Sequence, residues 1–170
     1  MYSKYIVFID NKVPLPERIS IISRAWGEDI PISFSQDNEV LNDASYLDLK
    51  VNKWEANSKW SEIQNQEPWI RVEIYRDEQV GEFVLKNKLR LNFDCDNYFL
   101  LVIGLDDGWQ EIDQILLGCI VKATMKSYQT YGYDDTKGYI ICHDYLNSLP
   151  SKDTVRQYIF LACNPGGVVA

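Results

Sequence analysis

The chain carries one histidine, the side chain most often used for proton transfer near neutral pH. His143 lies in "ICHDY", between Cys142 and Asp144. Adjacent residues on a strand point to opposite faces, so neither neighbour can pair with the imidazole while the strand continues. A catalytic His143 would need a partner from elsewhere in the chain, and no nucleophile motif accompanies it.

The four cysteines lack the spacing of a metal or redox site. Cys95, Cys119, Cys142 and Cys163 form no C-x-x-C pair, and one histidine cannot complete a zinc site. The last three stand among apolar residues, which predicts buried, reduced thiols that act as small hydrophobic side chains. We therefore expect no metal and no cofactor.

Acidic residues cluster in "GLDDGWQEID", which carries Asp106, Asp107, Glu111 and Asp113 near the expected start of a long helix. Carboxylates are favoured at that position by capping and by the helix dipole, so catalysis is not needed to explain them. Neither this stretch nor "NFDCDN" matches the spacing of an EF-hand calcium loop.

Other signatures of enzymes are equally sparse. "LDLK" places Asp48 two residues before Lys50 on one strand face, a spacing that some metal-dependent nucleases use. An alternating strand yields such pairs by chance, and an acidic surface would repel the substrate. The sequence has no GxxxxGK[ST] or GxGxxG phosphate loop and no GxSxG nucleophile elbow, so no catalytic motif is identified.

The stretch "SYQTYGYDDTKGY", residues 127–139, combines tyrosines, acidic residues and glycines with almost no aliphatic side chain. One interpretation is a turn that leaves the long helix, with half-buried tyrosines at the domain edge. The other is a binding surface, because tyrosine offers a large contact area at low entropic cost and aspartates can pair with Lys or Arg. Glu111 and Asp113 could extend this acidic surface if the stretch folds back.

The charge balance narrows the choice of partners. Acidic side chains number 25 and basic ones 17, a net charge of −8. That sign opposes nucleic acid and anionic membranes, and it suits solubility or attraction to a basic protein. No apolar run approaches the roughly 18 residues that span a bilayer, and no secretory signal is visible, so a cytoplasmic location is expected.

Length and periodicity predict one α+β domain over residues 1–170, with a loose tail at 164–170. We expect a mostly antiparallel sheet of about six to eight strands, one long helix at about 108–126 and one or two shorter helices. Predicted strands occupy 4–10, 30–35, 46–51, 69–76, 98–105 and 138–143, with two more within 79–93. These patterns determine neither the strand order nor the oligomeric state.

Side-chain periodicity also assigns faces within these elements. "YLDLKV" and "WIRVEIYR" alternate, so each has one buried and one wet face, whereas "YFLLVIGL" and "GYIICH" are of the fully buried type. Helical spacing predicts one buried stripe on each helix. On the short helix it comprises Ile19, Ile22 and Trp26. On the long helix it comprises Trp109, Ile112, Leu116, Cys119, Ile120 and Ala123. Residues 52–69 fit a short surface helix or an excursion over the sheet, and 152–163 fit a helix or a strand.

An acidic, aromatic-bearing α+β domain of this kind resembles bacterial immunity proteins that neutralise toxic nucleases, including partners of contact-dependent growth-inhibition and other polymorphic toxins. The resemblance is one of composition over the whole chain. It implies a protein-binding module without enzymatic activity, which covers the cationic active site of a cognate toxin such as a basic nuclease. The expected contact residues are Tyr131, Tyr133, Asp134, Asp135, Asp106 and Asp107, with Trp54 and Trp60 as a second anchor patch.

Two alternatives remain open at this stage. One is a small cytoplasmic enzyme with a cleft near His143, for which His143→Ala would abolish an activity. The other is a phage-encoded or structural interaction protein, which shares this composition and differs only in its partner.

Overall fold

Seven strands form one sheet in the part of the chain that the computed structural model describes, which comprises residues 2–56, 68–106, 111–124, 130–142, 148–155 and 157. They are Lys4–Asp10 (β1), Ile32–Gln36 (β2), Tyr46–Val51 (β3), Ile70–Tyr75 (β4), Tyr98–Leu105 (β5), Thr130–Asp134 (β6) and Gly138–Ile141 (β7). Neighbouring strands are all antiparallel, in the order β2-β3-β4-β5-β1-β6-β7. The predicted α+β class with a mostly antiparallel sheet is confirmed.

Helices flank the sheet on both sides. Their bounds are Arg18–Ala25 (α1), Lys53–Ala56 (α2), Glu78–Lys86 (α3) and Glu111–Thr124 (α4), and residues 152–155 add a further helical turn. α4 is the long helix that the sequence predicted between about 108 and 126. None of the helices described is both long and apolar enough to cross a membrane.

α1 and α4 cover one face of the sheet. Most of the strand residues that point to this face are buried, at most 7% exposed: Tyr5, Val7, Ile9, Leu47, Leu49, Val51, Ile70, Val72, Ile74, Leu101 and Ile103. Every second residue of β3 and β4 is among them, so the faces predicted from alternation are confirmed. Trp26, at the end of α1, is 1% exposed, and its Nε1 donates to the Leu116 carbonyl of α4 at 3.1 Å.

α3 and the chain that follows it cover part of the second face. The buried residues there are Ile6, Phe8, Val80, Leu100, Val102 and Tyr131. The Phe8 ring meets three others edge-on, with centroid distances of 5.1 Å to Phe93, 6.4 Å to Tyr98 and 6.2 Å to Tyr131. β5 is therefore buried on both faces, as its uninterrupted apolar sequence predicted.

The prediction of two strands within residues 79–93 is wrong, because this region begins with helix α3. Val80, Phe83 and Val84 follow helical spacing and pack on the second core. The Asn87 side chain donates to the Phe83 carbonyl at 2.9 Å and closes the last turn. β4 and β5 pair directly with each other, so the segment between them has no strand edge to join in that part of the sheet.

Two predicted burial patterns also need correction. The strand in "GYIICH" is not central: β7 is an end strand of the described sheet, and Ile141 is 56% exposed. On α1 the buried residues are Ile21, Ile22 and Ala25, while Ile19 is 67% exposed. Ile22 and Trp26 of the predicted stripe are therefore confirmed as buried, and Ile21 and Ala25 complete the buried surface in place of Ile19.

The α4 stripe is confirmed where the structure describes it. Ile112, Leu116, Cys119 and Ile120 are buried, and Ala123 is half-buried against the same core. The buried surface is wider than predicted because Ile115, Leu117 and Val121 are buried as well. Capping by Asp107, the stripe position Trp109, and the tail at 164–170 lie outside the described residues. Of the ambiguous segment 152–163, residues 152–155 are helical.

Candidate functional site: the open face of the sheet

Beyond the cover of α3, the second face of the described sheet is mostly polar, and its side chains are exposed or half-buried. One row of residues crosses all seven strands in register: Ser35, Asp48, Arg71, Gly104, Lys4, Tyr133 and Tyr139. A second row beside it comprises Ser33, Lys50, Trp69 and Asp106. A third row starts with Tyr46 and Glu73 and then becomes buried at Val102. We call the first two rows, together with Tyr46 and Glu73, the open face.

Arg71 is the centre of the charge pattern on the open face. Its guanidinium binds Asp48 through two bonds, Nε to Oδ1 at 2.7 Å and Nη2 to Oδ2 at 2.6 Å, and lies 5.1 Å from the Tyr46 ring centroid. Asp48 above all, and then Glu73 and Asp106, raise the pKa of Arg71 above its usual value. Three carboxylates thus surround one guanidinium, and the Arg71 side chain is still 52% exposed.

A depression of about 320 Å³ opens beside this pair. The described residues that line it are Ser35, Asp48, Trp69, Arg71 and Asp106. The Lys50 ammonium lies 5.0 Å from the centroid of the Trp69 ring, but Lys50 does not line the depression. The lining therefore combines an aromatic wall with two carboxylates and one guanidinium.

Aromatic rings form the boundary between the open face and α3. Ring centroids are 5.2 Å apart for Tyr75 and Phe83, 6.2 Å for Phe83 and Tyr139, and 5.1 Å for Tyr139 and Tyr133. Burial raises the pKa of Tyr139 to about 12, and burial together with the hydrogen bond from its hydroxyl to Glu73 raises the pKa of Tyr75 to about 12. These phenols stay protonated at neutral pH, so they provide contact surface rather than a base.

The structure separates the tyrosines that the sequence grouped together. Tyr133 is 37% exposed and lies on the open face, whereas Tyr131 is 3% exposed in the second core and its hydroxyl donates to the Arg90 carbonyl at 3.1 Å. Tyr131 is therefore a core residue and not a surface contact. Both side chains point to the same face, because residues 130–134 form strand β6 and alternate residues of a strand share a face. They differ in burial because only Tyr131 packs into the second core.

The acidic pair in this stretch belongs to a hairpin turn. Asp134 Oδ1 accepts from the Thr136 amide at 2.9 Å, the Thr136 hydroxyl at 2.7 Å and the Lys137 amide at 2.9 Å. Asp135 is exposed in the turn, and Gly138 takes the positive φ of 75° that allows the chain to enter β7. Asp134 thus has a structural role, while Asp135 is free to face solvent.

A pH-dependent effect follows from the Asp134 turn. Its hydrogen bonds, led by that from the Thr136 hydroxyl, hold the pKa of Asp134 below 3.8, so its contribution to stability is present above the unfolded-state pKa and is lost as pH falls through the folded-state pKa. We expect Asp134→Ala to be less stable than wild type at about pH 6 and to approach it at about pH 3 in urea titrations. Asp135→Ala is the control, and an equal pH-dependent loss in both variants would contradict this role for Asp134.

The remaining predicted contact residues are distributed differently. Asp106 lines the depression on the open face, and Trp54 lies in α2. Asp113 does not extend an acidic surface, because it is 3% exposed and pairs with Lys53. Asp107, Trp60 and His143 lie outside the described residues.

Two possible metal sites have structural explanations. Both oxygens of Asp48 accept hydrogen bonds from Arg71, so this carboxylate forms an ion pair with Arg71. The ion pair accounts for Asp48 in the nuclease-like pair of Asp48 and Lys50. Asp94, Cys95 and Asp96 are close enough together to ligate an ion, but the Asp94 carboxylate accepts from the Asp96 amide at 3.0 Å and caps a short helical turn. Capping accounts for this exposed group.

Buried thiols agree with the sequence prediction for the cysteines that are described. Cys119 and Cys142 are free and buried, and burial raises their pKa values to about 12 and about 11. Cys95 is half-buried, and Cys163 lies outside the described residues. The two buried thiols are therefore core side chains rather than nucleophiles at neutral pH.

Sequence reasoning missed Arg71, Trp69 and Lys50 as site residues. The signal that could have found them is the wet face of two alternating strands, which carries Asp48 on one strand and Arg71 on the other. What it lacked is the register that places these two residues opposite each other.

Comparisons with protein-family models, with curated proteins and with solved structures found no match for this chain. The open face and its charge pattern are thus the basis for an assignment of function.

Proposed function

We propose that this chain is a protein-binding module that docks a basic protein on the open face. In the more specific form of the proposal, it is an immunity protein that neutralises a cognate toxin by covering its active site. The observation that carries the proposal is the open face itself, an exposed sheet surface on which Arg, Trp and Tyr side chains are arranged in rows around a depression.

The residue types on the open face support protein binding. Trp, Tyr and Arg are the residues that most often carry the energy of protein interfaces, and here Trp69, Arg71, Tyr46 and Tyr133 share one surface. Arg71, Tyr46 and Tyr133 sit on strands and Trp69 directly precedes β4, so the packed sheet beneath them limits the conformational entropy lost when a partner binds. Such a surface is suited to recognition of a folded protein.

Charge supports a basic partner. The net charge of −8 favours encounter with a cationic protein. On the open face, the carboxylates of Asp48, Glu73 and Asp106 alternate with the cations of Arg71, Lys50 and Lys4, so the face itself can pair with basic side chains while the chain as a whole supplies the attraction. Nucleases bind the phosphate backbone with Lys and Arg, so an acidic protein that covers those side chains would exclude the substrate. A nuclease toxin is the partner that fits this chemistry.

The test uses Arg71→Glu, which places a fourth carboxylate at the centre of the open face. Tagged wild type and variant are used to capture partners from a lysate of the source organism, and each candidate is then purified for affinity measurements. We expect Arg71→Glu to bind the partner at least roughly 30-fold more weakly, because it removes the guanidinium that orders Asp48 and Tyr46 and places like charge against Asp48, which outweighs the added attraction to a basic partner. Wild-type binding should weaken as salt rises. Expression of the partner alone should stop cell growth, and co-expression of this chain should restore it.

Arg24→Glu is the matched control. It makes the same charge change at an exposed position on α1, on the other side of the sheet, and should bind and protect as wild type does. Equal affinity of a folded Arg71→Glu variant would remove the open face from the proposal. A partner that binds but does not harm cells would refute the immunity role and leave the binding role.

A further inference from the structure

The depression on the open face has more negative than positive charge around it. Asp48 and Asp106 line it together with the guanidinium of Arg71, and Glu73 adds a third carboxylate close enough to affect the Arg71 pKa. The Lys50 ammonium, next to Trp69, adds a second cation. The described groups on β3, β4 and the end of β5 therefore carry one net negative charge, which favours a cation over an anion.

Among the contacts between described residues, one carboxylate that lines the depression has no hydrogen-bond donor. Asp48 already accepts two hydrogen bonds from Arg71, whereas the Asp106 carboxylate accepts no hydrogen bond from the described residues. Asp106 is exposed, and its backbone amide is fixed by a hydrogen bond of 3.1 Å to the Trp69 carbonyl. The strand pairing thus holds this carboxylate next to the indole.

The aromatic wall favours one kind of cation. Lys50 contacts the Trp69 indole but does not line the depression, so indole surface remains exposed to the depression. A guanidinium is planar, weakly hydrated and able both to stack on an aromatic ring and to bind a carboxylate through two donors. Arg71 already shows the same pair of contacts on this face, with Asp48 and with Tyr46.

We propose that the depression lined by Trp69, Asp106 and Asp48 is a socket for one arginine side chain of the basic protein partner. The incoming guanidinium donates to the Asp106 carboxylate and lies against the Trp69 indole. The volume of about 320 Å³ accommodates one such side chain and leaves room for water. The socket rests on the proposed function, since it names the group by which the partner is recognised.

A titration with arginine amide tests the socket without any protein partner. The chain is labelled with 5-fluorotryptophan, and Trp69→Phe identifies the fluorine signal of Trp69. We expect arginine amide to shift that signal saturably in the range of about 5–50 mM, as a single stacked and hydrogen-bonded group should. Citrulline amide, which has nearly the same shape without the charge, should shift it much less.

Substitution of Asp106 provides the second arm. Asp106→Asn should weaken the response to arginine amide about three- to tenfold. Asp153→Asn removes an exposed carboxylate beside α1 and α4, on the other face of the sheet, and should leave the response unchanged. Equal shifts with citrulline amide, no shift of the Trp69 signal, or an unaltered response in Asp106→Asn would each overturn the socket.

The outcomes separate the socket from the proposed function. If partner capture depends on Arg71 but arginine amide gives no response, the open face is an interface and the socket is wrong. If arginine amide binds at Trp69 but Arg71→Glu captures the partner as wild type does, the socket is a cation site and the docking proposal is wrong.

Discussion

Replacement of Asp113 by leucine is expected to lower the free energy of unfolding by about 3–5 kcal/mol. Asp113 lies in the first turn of α4, and its Oδ1 is 2.8 Å from the Lys53 ammonium at the start of α2. Both side chains are 4% exposed. The leucine variant leaves a buried ammonium without this counter-ion, and the cost of keeping or neutralising that charge falls on the folded state.

The double variant Lys53→Met/Asp113→Leu should recover most of the loss, because it removes both charges and keeps apolar volume in the core. Urea unfolding of wild type, both single variants and the double variant gives the coupling energy between the two side chains. Glu111→Gln, which removes an exposed carboxylate from the same helical turn, should cost at most about 1 kcal/mol. A double variant no more stable than Asp113→Leu would show that the ion pair is not the cause.

Replacement of Trp26 by alanine is the second large effect, with an expected loss of about 3–5 kcal/mol. Trp26 is 1% exposed at the end of α1 and joins that helix to α4 through the 3.1 Å bond from Nε1 to the Leu116 carbonyl. Alanine removes the apolar contacts of the indole, leaves a cavity and breaks this hydrogen bond between two helices that cover the same sheet face.

Two further variants divide this effect into its parts. Trp26→Phe keeps a ring but loses the hydrogen bond, and should cost about 1–2 kcal/mol. Ile19→Ala changes a residue of α1 that is 67% exposed and should stay within about 0.5 kcal/mol of wild type by urea unfolding. A large loss in Ile19→Ala together with a small one in Trp26→Ala would mean that α1 packs through the other stripe.

Strand faces could be predicted from sequence because they depend on neighbours only two positions apart. "YLDLKV" and "IRVEIY" show apolar residues at every second position, and the structure buries those residues. The sheet class and the central position of β5 follow from the same local pattern. Each of these properties belongs to a single segment, so one segment of sequence is enough to predict it.

α3 shows where local patterns become ambiguous. "EQVGEFVLK" offers too few apolar positions to separate a helical period from a strand period, and the β-branched and aromatic residues favoured the wrong choice. The outcome depended on contacts between segments, because β4 and β5 pair directly with each other. Packing of Val80 and Phe83 into the second core then stabilises the helix.

The candidate site combines both kinds of information. The sequence by itself determined the acidic net charge, the α+β class and the polar face of β3 and β4, because these follow from composition and from short-range periodicity. Only the tertiary structure decided that Asp48 meets Arg71, that Trp69 lies beside Asp106 and that Tyr131 is buried while Tyr133 is not. Pairing register and the placement of covering helices are contacts between segments far apart in the chain, and the periodicity within a segment carries no information about which partner it will meet.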